Sequence, residues 1–510
     1  MKDVKRAGIS ELKWGSILSY SQMFLSIAVG VTYTPVMIRI LGQSEYGLYS
    51  TVSSTISLLS ILSLGFNSSY IRYYARYRKE KDYIRIYRLN GLFLIIFSVI
   101  GLIALACGLF LTGHLDLVFD TGLTSTEFEK AKELMFLLSI DLALSFPLSV
   151  FSTIISANEK FVFLKLMGML NTVLSPMVNL PLLLMGYRSI ALVVSAMLFN
   201  ALTGFINIYY VLARLNNRFQ FDNLDKKLFR NLFIFTAFIA INLIVDQINN
   251  VLDKVLLGRY KGTSVVAVYA VGSSLYKYFI LLSTAISGVF TPRIHHLYNS
   301  FDDEQSRSEA LSNLFIKVGR IQFLILMLVA SGLVLFGQRF IWLWVGQGYE
   351  ESYYVALLLI LPTMIPLIQN IGIEIQRAAN KHQFRSIVYG LMALCNLAMT
   401  IVLCQRYGAV GAAFGTSVSI FLANGILMNI YYRSKIGLDI KRFWKNIFHM
   451  LAGTIPALSF GVAIRLKGTI DNLAEFSIYV ALYTVVYCGS CWFFSMNTEE
   501  KKLVKGFFIK

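Results

Sequence analysis

Fourteen apolar runs, most of them about 20 residues long, dominate this chain and leave little room for a soluble fold. They fall at about 15–38, 46–70, 89–112, 133–156, 163–186, 189–212, 231–257, 265–291, 317–346, 353–378, 386–404, 409–432, 447–464 and 473–495. Inside a bilayer every backbone polar group must be satisfied within the segment, so such runs are expected to be helices. Charged residues make up 15% of the chain and mean hydropathy is +0.64; a soluble domain carries about 25% charged residues. The expected class is an all-α integral membrane protein of about 14 transmembrane helices. The longest polar stretch, His295 to Ser312, reads as one surface helix.

An even number of spans places both termini on one side. The segments on that side hold 34 of the 46 Lys and Arg residues; the opposite side holds 11, and Lys277 is the remaining one. The richer side is the cytoplasmic one. The net charge of +18 therefore reads as loop bias, and no nucleic-acid partner is expected. The basic N-terminus runs into a full-length span without a small-residue cleavage site, so no cleavable signal peptide is expected. The expected location is a bacterial inner membrane, multi-pass, with both termini cytoplasmic.

Enzymatic chemistry finds no foothold. The G-x-x-x-x-G-K-[ST] and H-E-x-x-H patterns are absent, so neither P-loop hydrolysis nor that zinc chemistry is expected. His295-His296 reads as an interfacial helix end and not as a metal site. All five cysteines lie in apolar runs, and Cys488-x-x-Cys491 lacks the soluble βαβ setting of a redox motif. The eight prolines sit in or at the edge of spans, as fixed bends or as hinges. No catalytic residue, metal or cofactor is expected, apart from a coupling H⁺ or Na⁺.

Charges inside spans are the informative residues, because an ionisable group at membrane depth normally faces a bundle interior or a wet cavity. Asp246, Asn250 and Asp253 follow i, i+4, i+7 spacing on one helical face. Counted from a loop at Gly258–Ser264, Asp246 and Lys277 both lie about 18 Å deep on neighbouring antiparallel helices. They could form a buried ion pair, or Lys277 could line a cavity and attract anions. Asp246 and Asp253 could hold a coupling ion or act as helix glue. Glu374 with Asn370 and Arg377 repeats the spacing, with a local Glu–Arg pair as its simplest use. Ser53, Ser57 and Ser60 share one face, suited to close helix packing or to a wet wall.

The two halves echo each other. Leu41-Gly42 with Tyr49 and Ser53-Ser54 recurs as Leu257-Gly258 with Tyr269 and Ser273-Ser274. Ala157-Asn158 with Phe161 recurs as Ala379-Asn380 with Phe384, and Gly186-Tyr187 recurs loosely at Arg406-Tyr407; the offsets run from 216 to 223 residues. Matches in order at one offset mark an internal repeat. Six spans separate the copies, so the halves share one orientation, with the pseudo-two-fold axis along the membrane normal. The expected domains are 1–216 and 217–435, each a six-helix bundle, and 436–510, an added two-helix hairpin and cytoplasmic tail.

Tyr33-Thr34-Pro35, Leu41-Gly42-Gln43-Ser44-Glu45-Tyr46-Gly47-Leu48-Tyr49, Leu64-Gly65-Phe66, Ile71-Arg72-Tyr73, Asp253-Lys254-Val255-Leu256-Leu257-Gly258 and Tyr407-Gly408-Ala409-Val410-Gly411 carry a resemblance. The chain resembles the polysaccharide-biosynthesis flippases of the multidrug/oligosaccharidyl-lipid/polysaccharide exporter superfamily. The resemblance implies two six-helix bundles in a MATE-like V. It also implies movement of an undecaprenyl-diphosphate-linked oligosaccharide from the cytoplasmic to the outer leaflet, for lipopolysaccharide O-antigen or capsule assembly. A polysaccharide polymerase and glycosyltransferases would be its protein partners, and membrane lipids its surroundings. Relatives often carry an Asp before the Leu-Gly-Phe of span 2, where this chain has Ser63, so that acid's role is absent or moved. The alternative is an ion-coupled drug or metabolite antiporter on the same fold; an acidic cleft would favour it, whereas Lys277 opposes it.

A diphosphate cargo needs a cation-lined path, with Arg as a bidentate partner and Lys as a point charge. The candidates are Lys277, Arg72, Arg76, Arg39 and Arg377. Arg72 and Arg76, at i, i+4 on the cytoplasmic end of span 2, and Arg39, at the outer end of span 1, could equally snorkel to lipid phosphate. The ion-coupling candidates are Asp246, Asp253 and Glu374.

Overall fold

The computed structural model describes residues 2–119, 123–222, 226–381, 383–467 and 472–508, with side chains outside the description for 2–13 and for much of 228–250. Every regular element among them is helical. Twelve helices are long and apolar enough to cross a membrane. α8 adds a 36-residue helix that is not among the twelve; part of its side chains lie outside the described residues.

Contacts divide the chain into two compact units, Met1–Ala267 and Val268–Lys510. The first contains α1 (Lys2–Leu41), α2 (Gln43–Leu58), α3 (Phe66–Glu80), α4 (Tyr83–Gly113), α5 (Ser125–Ala157), α6 (Phe161–Leu184), α7 (Arg188–Tyr209), α8 (Lys226–Lys261) and the start of α9 (Thr263–Gly288). The second holds the rest of α9, then α10 (Thr291–Asn299), α11 (Glu304–Val345), α12 (Glu351–Ile368), α13 (Ile371–Ala378) and α14 (Gln383–Ile420). It ends with α15 (Met428–Tyr431), α16 (Ile440–Lys467), α17 (Leu473–Phe494) and α18 (Thr498–Phe508).

Each unit is held from within by aromatic and aliphatic packing. In the first, Phe66, Tyr70, Phe93, Phe97 and Phe146 interlock α3, α4 and α5. The buried Asn90 accepts from the Tyr70 hydroxyl at 2.6 Å and donates to the Arg218 carbonyl at 2.9 Å, so its burial is compensated. In the second, α16 and α17 pack on α11: Tyr483 donates to Ser331 Oγ at 2.7 Å and Tyr487 to the Leu324 carbonyl at 2.9 Å. Apolar side chains on the outer faces stay exposed, as on α6 (Leu170, Met177, Leu184), which suits a helix bathed in acyl chains.

Several expectations change at the breaks. The α8–α9 loop shrinks to Gly262, whose φ of +84° permits a one-residue reversal. Span 2 is interrupted: a tight 3-10 turn over Leu59–Ser63 leads into left-handed Leu64 and Gly65 before α3. Span 10 is split between α12 and α13, just after Pro362 and Pro366. Proline removes intrahelical donors, and helix continuity fails within a turn of the second one. His295–Ser312 forms the end of α10 and the start of α11, not one helix, because Asp303 caps a new start by accepting from Ser306 N at 2.8 Å. Spans 11 and 12 form a hairpin bent at Gly408 (φ 57°, ψ −135°), across which Thr416 donates to Asn396 at 3.3 Å. With that bend and α8 the helices are compatible with the expected fourteen spans.

Candidate functional site: charged and polar groups at membrane depth

In the second unit, Lys277 lies about 21 Å along α9, close to its middle. Ser273, Lys277 and Thr284 fall on one helical face. Lys277 and Thr284 are exposed, while the other side of the helix is packed through buried Phe279 and Ser283. Lys277 has no ion-pair partner among the described residues. A charged, exposed amine at this depth requires water, because acyl chains cannot solvate it cheaply.

The first unit builds its polar interior from acids and amides. Asp141 sits midway along α5 and accepts from Asn200 Nδ2 on α7 at 3.1 Å to both carboxylate oxygens. Ser145, Ser149 and Ser152 continue the same face of α5, their hydroxyls returned to carbonyls of their own helix. On α7, Asn200, Thr203 and Asn207 share a face, and Thr203 exchanges hydrogen bonds with Asn171 of α6 at 2.9 and 3.3 Å. The 3-10 turn after α2 contributes Ser60, which accepts from Gln247 of α8 at 2.9 Å.

A second acid lies near the end of this unit that carries Arg188 and Lys130. Glu45 is buried. It accepts from Lys130 Nζ at 2.9 Å, Arg188 Nη1 at 3.2 Å, Ser189 N at 3.0 Å and Ser189 Oγ at 2.7 Å. One carboxylate thus ties the N-terminal ends of α2, α5 and α7. Beside it Glu127 completes a capping box with Thr124 and accepts from Ser44 and, at 3.4 Å, from Thr263.

The remaining sequence candidates fall as follows. Arg72, Arg76 and Arg39 are all exposed; Arg76 donates to Glu80 at 3.0 Å, and Arg72 and Arg39 hold partners of their own. Arg377 pairs with Glu374 at 2.6 Å within α13. Asp253 is buried on α8 and engaged by a neighbour. Asp246 lies on α8 with its side chain outside the described residues, as does Asn250. Asp141 escaped the sequence reading although it obeys the same rule, an ionisable residue inside an apolar run. Glu45 was visible only as a letter in a motif, because Lys130 and Arg188 lie far from it along the chain.

The described residues thus form a multi-pass helical protein that keeps charges and amides within its spanning helices, where each needs water or a partner. Comparison with known proteins places the chain in a family. The family model described as polysaccharide biosynthesis protein matches residues 12–297, more than half of the chain, and the chain belongs to that family. A "Putative O-antigen transporter" of Shigella flexneri is 21% identical over 399 residues, covering 78% of this chain and 91% of the relative. The "Capsular polysaccharide biosynthesis protein CapF" of Staphylococcus aureus is 23% identical over 246 residues, 48% of this chain and 57% of the relative. Among solved structures, the lipid II flippase MurJ in an inward closed conformation aligns with a TM-score of 0.67 at 16% identity, covering 94% and 97% of the two chains. An inward-facing multidrug resistance MATE family transporter aligns with a TM-score of 0.59 at 16% identity, covering 84% and 99%. The fold is that of the MurJ and MATE transporters of the MOP superfamily.

Proposed function

We propose that this protein is a flippase that moves an undecaprenyl-diphosphate-linked oligosaccharide from the cytoplasmic to the outer leaflet of a bacterial inner membrane, by alternating access. The observation that carries the reading is Lys277: an exposed cation in the middle of an apolar helix, in a chain of the polysaccharide biosynthesis family. A diphosphate brings negative charge into a region where charge is costly, and a fixed ammonium offsets it without moving with the cargo. The two-bundle organisation, with boundaries at 216/217 and 435/436 and termini in the cytoplasm, belongs to this reading. So do a downstream polymerase and upstream glycosyltransferases as partners. Arg72, Arg76, Arg39 and Arg377 rank behind Lys277, since each has a partner already.

Asp141 favours an ion-coupled cycle. A carboxylate held by one amide at mid-depth can exchange a proton or hold Na⁺, and it joins Asp246, Asp253 and Glu374 as a coupling candidate. The same acid also sustains the second reading, a cation antiporter. Lys277→Ala and Lys277→Arg in a reconstituted assay with a fluorescent lipid-linked oligosaccharide separate the two. A flippase loses transport in Lys277→Ala and regains part of it in Lys277→Arg. Unchanged lipid movement in Lys277→Ala would sink the reading.

A further inference from the structure

At the end of the second unit where α10, α11, α16 and α18 meet lies a half-open cavity of about 760 Å³. Four cations line it: Arg293 of α10, Lys317 and Arg320 of α11, and Arg442 of α16. The acid on its wall is Glu499 of α18, which accepts from Lys317 Nζ at 2.7 Å. The floor is rigid. Arg320 is 93% buried, and Glu500 accepts from its Nε at 2.6 Å and its Nη2 at 2.9 Å. The Ser495 carbonyl takes Nη2 at 2.8 Å and Asn446 takes Nη1 at 3.4 Å. Arg320 is therefore spent on fixing α18 against α11 and α16.

Arg293 and Arg442 differ from it. Both side chains are exposed and neither has a carboxylate partner among the described residues. Both guanidinium groups line the same hollow, and an anion entering it would meet two cations that no described carboxylate neutralises. Arginine's planar fork matches phosphate oxygens bidentately. The volume lies within the usual range for a small-ligand site, about 300–1,000 Å³. The surroundings suit a membrane surface: Lys501 and Lys505 of α18 lie 5.9 and 6.0 Å from the Trp492 ring, a pairing of cation and indole common at headgroup level.

We propose that this cavity binds a phosphate-bearing anion between Arg293 and Arg442. Glu499 of the C-terminal helix acts as an internal stand-in that keeps Lys317 occupied until the anion takes that cation over. The source is a lipid headgroup or a soluble phosphate ester; basic pockets on the cytoplasmic side of helical membrane proteins bind anionic headgroups. The site is separate from Lys277, so its test does not depend on the transport reading.

The test uses the full chain in neutral detergent, titrated with phosphatidylglycerol, with phosphatidylcholine and with inorganic diphosphate, and read by native mass spectrometry. The comparison variants are Arg293→Gln/Arg442→Gln, Glu499→Gln, and Arg433→Gln/Lys445→Gln, which removes equal charge outside the cavity. Phosphatidylglycerol retention should fall about tenfold in the first variant, rise several-fold in Glu499→Gln, and barely change in the control. Binding of diphosphate but not of the lipid, with the same arginine dependence, supports the site with a soluble source. Equal losses in the first variant and the control, or equal retention of the two lipids, would overturn the proposal. If the double arginine variant does not fold, Glu499→Gln decides: no gain in anion binding rejects the stand-in role and the site with it.

Discussion

The two compact units use the same material, long apolar helices with broken spans and hydroxyl stripes, yet place opposite charges at mid-depth. The first offers Asp141 held by Asn200; the second offers Lys277 with no carboxylate beside it among the described residues. An acid held by one amide can release or accept a proton or a small cation, whereas an ammonium group attracts an anion. On the proposed flippase reading, coupling would fall to the first unit and cargo attraction to the second. The clamps differ too. Glu45 in the first unit is buried, but its partners Lys130 and Arg188 are 29% and 57% exposed. In the second unit both Arg320 and Glu500 are buried, at 7% and 4%.

The mid-depth contrast gives the largest expected effect. Lys277→Ala should abolish surface polysaccharide export while the protein remains folded in the membrane, checked by glycan staining beside detergent-solubilised yield. Wild-type glycan levels would break the division of labour. Asp141→Asn keeps the hydrogen bond to Asn200 possible and removes the charge. It should leave slow transport that no longer responds to pH or Na⁺, measured in liposomes with imposed gradients. Retained gradient dependence would assign coupling elsewhere, with Asp246 and Asp253 next to be tested.

The clamp contrast gives smaller, thermodynamic effects. Glu500→Ala strands a buried guanidinium and should cost about 3–5 kcal/mol. Glu45→Ala frees two cations that can turn to water, so the loss should be about 1–3 kcal/mol, mostly unmet hydrogen bonds. Thermal unfolding in one detergent ranks them, and a larger shift for Glu45→Ala would reverse the comparison.

Much of this was legible in the sequence, for identifiable reasons. Spanning helices announce themselves because hydrocarbon demands long apolar runs. The Leu41–Tyr49 stretch carried enough of the family's pattern to anticipate the MATE-like fold, and Lys277 stood out as a cation where few are tolerated. Glu45 with Lys130 and Arg188, or Arg320 with Glu500, could not be paired from the sequence, because nothing local brings residues so far apart in the chain together. The helix breaks were half visible: Pro362 and Pro366 pointed to the α12–α13 break, but Leu64 adopts a left-handed backbone that its side chain gives no reason to expect. Asp141 was a different kind of miss, visible by the rule that singled out Asp246 and simply passed over among serines.

The smallest effect concerns the edge of the second unit, where Glu499 can be set against the buried Glu500 one residue away. Hydrogen bonding from Lys317, then its charge and that of Lys502, holds the Glu499 carboxyl below its ordinary value of 4.5. A carboxylate depressed in the folded state contributes stability that is fully present above its ordinary value and is lost as pH falls through the lowered one. Docking of α18 should therefore be constant through neutral pH and loosen only in acid, below about 4.5. Trp492, which lies beside Lys501 and Lys505, reports on α18. Its fluorescence should shift slightly in that acid range in the wild type, and the step should vanish in Glu499→Gln. Because Glu499 is exposed, the step should also shrink in high salt, where surface pairs are screened. A step that survives in Glu499→Gln would rule out Glu499 as its source.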